Sequence, residues 1–80
     1  MRMIDDDSSK KLDNITLFLT MAEAKQLRGA LNAVIEEPTD ANHRHISSAD
    51  YQKEITVCIY DPENLAGFNE RSKKLILEDK

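Results

Sequence analysis

The segment NHRHISSADYQKEITVCIYD, residues 42 to 61, gathers both histidines, the only cysteine and both tyrosines of the chain. Two chemistries are open to such a set. The first is metal binding. His43 and His45 form a His-x-His pair, and Cys58 or Asp50 would be the third ligand, since zinc accepts nitrogen, sulfur and carboxylate donors. A structural zinc site asks for four ligands, however, and its usual spacings supply two close Cys/His pairs; this chain has one pair and one cysteine. Two surface histidines on a strand are the plainer reading, and the spacing favours it.

The second chemistry is a nucleophilic thiolate at Cys58 beside a histidine. Such a site needs a sharp turn or a helix start to supply oxyanion donors, and the only glycines, Gly29 and Gly67, lie away from Cys58 in the sequence. A cysteine in the middle of a strand is more commonly a small packed side chain. Nor does a glycine-rich turn join strand to helix where backbone donors would cradle a phosphate. The expectation is therefore a protein that is not an enzyme and takes no cofactor.

The elements that must hold these residues follow from periodicity. In NITLFLT, Ile15, Leu17 and Leu19 alternate with Thr16, Phe18 and Thr20, the pattern of a half-buried strand. Thr20 and Glu23 form a capping box, and apolar residues recur at helical spacing until Pro38, which predicts a helix over about 21 to 36. His43 to Ser47 reads as a short strand and KEITVCIY as a longer one, with Ile55, Val57 and Ile59 opposite Thr56, Cys58 and Tyr60. DPENLAG suggests a short helical turn, with Asp61 as cap and Gly67 past its end. A last helix, ERSKKLILEDK, is capped by Asn69. The order β-α-β-β-α predicts an α+β fold: a three-stranded, mostly antiparallel sheet, one long helix on one face and a short C-terminal helix. Residues 1–11 lack periodicity and read as a flexible tail, leaving 12–80 as a single domain.

Composition bounds the function further. Eighty residues with 40% hydrophobic and 32% charged content make one small globular domain. The net charge of −4 and the lack of a long basic stripe argue against nucleic acid as a partner. No apolar run approaches the ~20 residues that span a bilayer, and MRMIDDDSSKK lacks a signal-peptide core, so no membrane role is expected. A lone cysteine fits a cytoplasmic location.

Two candidate surfaces emerge. Alternation places Phe18, His43, His45, Cys58 and Tyr60 on the sheet face away from Ile46 and the core. On the long helix, Ala24, Leu27, Leu31, Val34 and Ile35 form the expected core side, and Ala22, Gln26, Gly29 and Ala33 an opposite face of small, uncharged residues. Gly29 costs about 1 kcal/mol against alanine there, and close approach of another helix would account for it. Glu36, Glu37 and Asp40 add an acidic corner near the helix end. These features predict a small non-catalytic interaction module, such as an inhibitor, immunity or accessory protein of bacterial or phage type. It would act by stoichiometric binding to a protein partner, including itself as a homodimer. The alternative is a metal-binding protein using His43 and His45.

Overall fold

Two helices and two separate two-stranded antiparallel sheets make up the computed structural model, which describes residues 1–39 and 42–80. The elements run β1 (Met3–Ile4), β2 (Lys11–Leu12), α1 (Met21–Glu36), β3 (Arg44–Ser47), β4 (Glu54–Val57) and α2 (Glu70–Glu78). They fall into two units, one made of Met1–Leu17 with Asp61–Lys80, the other of Phe18–Tyr60.

The second unit is a helix on a hairpin. Thr20 caps α1: its hydroxyl accepts from the Glu23 N–H at 3.1 Å, and the Glu23 carboxylate accepts from the Thr20 N–H at 2.9 Å. At the other end, the Asn42 side-chain amide donates to the Ala33 and Glu37 carbonyls at 3.0 and 2.8 Å, satisfying acceptors that a helix end leaves unpaired. β3 and β4 pair in the register Arg44↔Val57, His45↔Thr56, Ile46↔Ile55, Ser47↔Glu54. Their loop is closed by Asp50, whose carboxylate accepts from the Ser48 hydroxyl and the Gln52 N–H, with Tyr51 in a left-handed conformation. Ile46 is buried with Ala30 and Val34, Val34 being 1% exposed.

In the first unit, β1 and β2 join through a tight loop. The Asp5 carboxylate accepts from the Asp7 and Ser8 N–H groups, and the Asp5 N–H donates to the Lys10 carbonyl at 2.9 Å. These backbone donors, Asp7 first, hold the Asp5 carboxyl below the usual carboxylate range. Asn69 caps α2 by accepting from the Ser72 N–H at 2.8 Å. The guanidinium of Arg2 donates to the Leu75 and Ile76 carbonyls at 3.1 and 3.2 Å, so the N-terminal segment closes the last turn of α2 over its buried Leu75 and Ile76.

Several expectations change. Among the described residues no three-stranded sheet forms. Leu12 is used by the β1–β2 hairpin, and residues 14–20 carry no ladder, leaving Ile15 and Leu17 exposed. Alternation specifies an extended backbone but not a partner strand, and here none is supplied. Residues 1–11, expected as a tail, contain most of that hairpin; two-residue strands are too short to show a period. DPENLAG makes successive turns instead of a helical one: Asn64 N–H donates to the Asp61 carbonyl and Phe68 N–H to the Leu65 carbonyl. The inward side of α1 is also rotated from the expected one. Ala30 and Val34 are buried and Leu27 half-buried, whereas Ala24, Leu31 and Ile35 are exposed.

The capping box gives a direct test. Thr20→Ala should lower the stability of the chain by about 1 kcal/mol in urea unfolding, since one of the two reciprocal bonds, from the Glu23 N–H to the Thr20 hydroxyl, is lost. An unchanged midpoint would mean that the first turn of α1 draws nothing from it.

Candidate functional site

The hairpin separates two kinds of side chain. Arg44, Ile46, Ile55 and Val57 share the face with the buried Ile46, while His45, Ser47, Glu54 and Thr56 share the other. On that outer face, His45 Nδ1 lies 2.8 Å from Thr56 Oγ1 and 2.8 Å from Glu54 Oε1. His45 stands directly opposite Thr56 and diagonally from Glu54, so β-register alone creates this cluster. Each partner of the ion pair is more than half exposed, and its worth is within about 0–1 kcal/mol when the imidazole is protonated.

The other residues of the predicted sheet face lie beyond the paired strands. His43, Cys58 and Tyr60 lie outside β3 and β4, and Phe18, two residues before α1's cap, is 92% exposed. Asp50, a candidate third metal ligand, is engaged in the β3–β4 loop. The Ser48 hydroxyl, then the Gln52 N–H, hold its carboxyl below the usual range. Among the described residues no three His, Cys, Asp or Glu side chains converge where a metal ion would sit. Glu36 and Glu37 are exposed at the end of α1; Asp40, the third member of the predicted acidic corner, lies outside the described residues.

Cys58 is exposed as a residue, yet its thiol is shielded enough that burial pushes its pKa up. That direction favours the neutral thiol and opposes nucleophilic use.

The predicted helix face does meet a sequence-distant neighbour. Gln26, Gly29, Ala30 and Ala33 of α1 line one open cleft of about 310 Å³ together with Arg44, His45 and Ile46 of β3. Ala22 is exposed and is not part of this lining. A Cβ built on Gly29 would meet nothing within 4 Å, so the fold of the unit itself does not require glycine there. Arg44, which belongs to no sequence motif, stands at the cleft; its Nε donates to the Asn42 side-chain oxygen at 3.1 Å. Alternation with Ile46 was the available signal, since it places Arg44 on the helix side of the strand.

A further surface escaped sequence reasoning. Met21, Ala24, Leu31 and Ile35 run along α1 as an exposed apolar line, with Arg28 in its middle. The positions 21, 24, 28, 31 and 35 alternate steps of three and four, the spacing by which one helix docks along another element. Periodicity alone places Leu31 and Ile35 in the core, because an apolar pattern does not say which of two adjacent stripes is covered.

No family model, curated protein or solved structure matches the chain. Among the described residues no helix is long and apolar enough to cross a membrane.

The thiol supplies a prediction. Alkylation of Cys58 by iodoacetamide at neutral pH should be slower in the folded chain than in the urea-unfolded chain, with the rate still rising above the pH where an ordinary thiol levels off. Equal rates in both states would remove the burial argument, and a folded-state rate that saturates near neutrality would reinstate Cys58 as a nucleophile.

Proposed function

We propose that this chain is a small non-catalytic interaction module that binds a protein partner stoichiometrically, in the manner of an inhibitor, immunity or accessory protein. The observation that carries the reading is the apolar line along α1. A helix of a small domain normally turns such a stripe inward, yet Ile35 is 64% and Met21 72% exposed, and Phe18, just before the cap, is 92% exposed. Scattered surface apolar residues need no explanation, but a continuous row at docking period does.

Arg28 defines the partner's chemistry. It sits in the middle of the line, so an apolar helix or groove laid along α1 must also present a carboxylate or other acceptor there. Pairing of this line with itself about a two-fold axis would bring two Arg28 side chains together, which favours a different protein over a second copy on this surface. Cytoplasmic action remains part of the proposal, consistent with the single free cysteine.

A photo-crosslinking residue placed at position 31, in the cells that produce the chain, tests the idea. One dominant adduct of fixed mass is expected, and it should disappear when Ile35→Glu is added, which should weaken binding by about 30-fold or more. A probe at Gln52, in the β3–β4 loop, serves as the control and should not give that adduct. Absence of any adduct, or a diffuse set shared by both probes, would sink the reading.

A further inference from the structure

We infer that the free edge of β3 is a self-association site, where a second copy of the chain adds its own β3 antiparallel to form a four-stranded sheet. This lies on a different side of α1 from the apolar line, and it stands or falls separately from the docking proposed there.

The parity of the hairpin is the starting point. The Ser48 N–H donates to the Lys53 carbonyl at 3.0 Å, in register with the pairs Ile46↔Ile55 and Arg44↔Val57. Alternation in an antiparallel ladder then directs the backbone groups of Arg44, Ile46 and Ser48 toward β4 and those of His45 and Ser47 outward. Among the described residues no backbone group pairs with His45 or Ser47 on that side. A buried hairpin face beside an edge with open donors and acceptors is a template for another strand.

A two-fold axis through Ile46 matches this edge without a register conflict. It sets His45 against Ser47 of the second copy as a hydrogen-bonded pair, and the same again by symmetry, using only outward groups. The two Ile46 residues become the close, non-bonded pair on the helix side, extending the apolar core across the axis. Arg44 comes opposite Ser48 of the other copy, whose hydroxyl donates to Asp50 at 2.6 Å. Among the described residues neither Arg44 nor Asp50 has an ion-pair partner within its own chain, so the pairing brings a cation to an anion twice.

The helix supports the same occupant. The cleft takes in β3 but not β4, so it opens on the edge that would be extended, under α1's Gln26, Gly29 and Ala33. Adding a strand there also brings a second α1 alongside the first. Residues 26, 29 and 33 then meet their counterparts, and a glycine with nothing above its Cα position gains a reason: it lets two helices approach closely.

Sedimentation equilibrium of the untagged chain, from low micromolar to submillimolar concentration, is the experiment. The wild type should approach twice the 9.1 kDa chain mass. Ser47→Pro removes an outward N–H that β4 does not use, and it should raise the dimer dissociation constant about tenfold or more while the far-ultraviolet spectrum is kept. Gly29→Leu should shift the chain to monomer with no loss of helix, since the site is open in one copy. Leu31→Glu should leave the dimer intact. A monomer throughout the range overturns the inference, as does a dimer indifferent to both Ser47→Pro and Gly29→Leu, or one abolished by Leu31→Glu. Should Ser47→Pro fail to fold, amide hydrogen exchange of the wild type decides: His45 and Ser47 must be protected when concentrated and lose that protection on dilution, and concentration-independent exchange overturns the pairing.

Discussion

A hairpin with strands of four residues cannot cover a helix of sixteen. The strands reach about 13 Å and the helix about 24 Å, so the β3–β4 sheet can bury only one narrow stripe of α1. That mismatch governs the second unit. The stripe it selects is Leu27, Ala30 and Val34, met by Ile46 from below. Ala30 is small, which allows the helix to sit close, and Val34 fills the contact almost completely. Everything else apolar on α1 is left to one side or the other of that contact. The outer line and the cleft face are therefore consequences of one shortage of sheet, not two unrelated features.

Polar groups complete what the thin core cannot. Both ends of α1 are closed by side chains, Thr20 with Glu23 at one end and Asn42 at the other. In the first unit Arg2 closes α2 from outside the helix, and Arg71 ties the Ser9 carbonyl to the C-terminal residue at 2.6–3.0 Å. Such bonds contribute about 1 kcal/mol each at most where solvent competes. Their role is to fix direction: they state where a short element starts and stops, which two or three buried side chains cannot do alone. The acidic run DDD is an instance. Its first member, Asp5, organises the loop between β1 and β2.

What could be read from residues alone follows the same division. α1, its capping box and the Asn69 cap were recoverable because each is a local contract among residues a few positions apart. β3 and β4 were recoverable in part, since their β-branched alternation is also local. The β1–β2 hairpin was hidden by its size, and the only trace was turn chemistry, Asp and Ser, between Met3–Ile4 and Leu12. The third strand failed for a different reason. Ile15 and Leu17 alternate correctly, but pairing is a property of two segments and alternation describes one. The rotation of α1 failed likewise, because Ala24, Leu31 and Ile35 form as good an amphipathic side as Leu27, Ala30 and Val34. Only the position of the hairpin decides between them. Among the site residues, the His45 cluster with Thr56 and Glu54 needed the register, and the cleft needed the packing of α1 over β3.

Arg28 and Gly29 are neighbours in sequence and about 100° apart on α1, and they impose opposite conditions on association. A guanidinium in the middle of an apolar line resists its own copy and asks for an acceptor from elsewhere. A glycine over an open cleft, beside a strand edge whose outward groups are self-complementary about Ile46, asks for its own copy. A helix that satisfied both would be a bridge: one side holds the dimer, the other side binds outward. Two-fold pairing through β3 would then carry two copies of the outer line, and a partner with repeated sites would gain from effective concentration without any new contact. On these proposals, the thin sheet that leaves α1 uncovered would also give so small a chain two distinct sides to bind with.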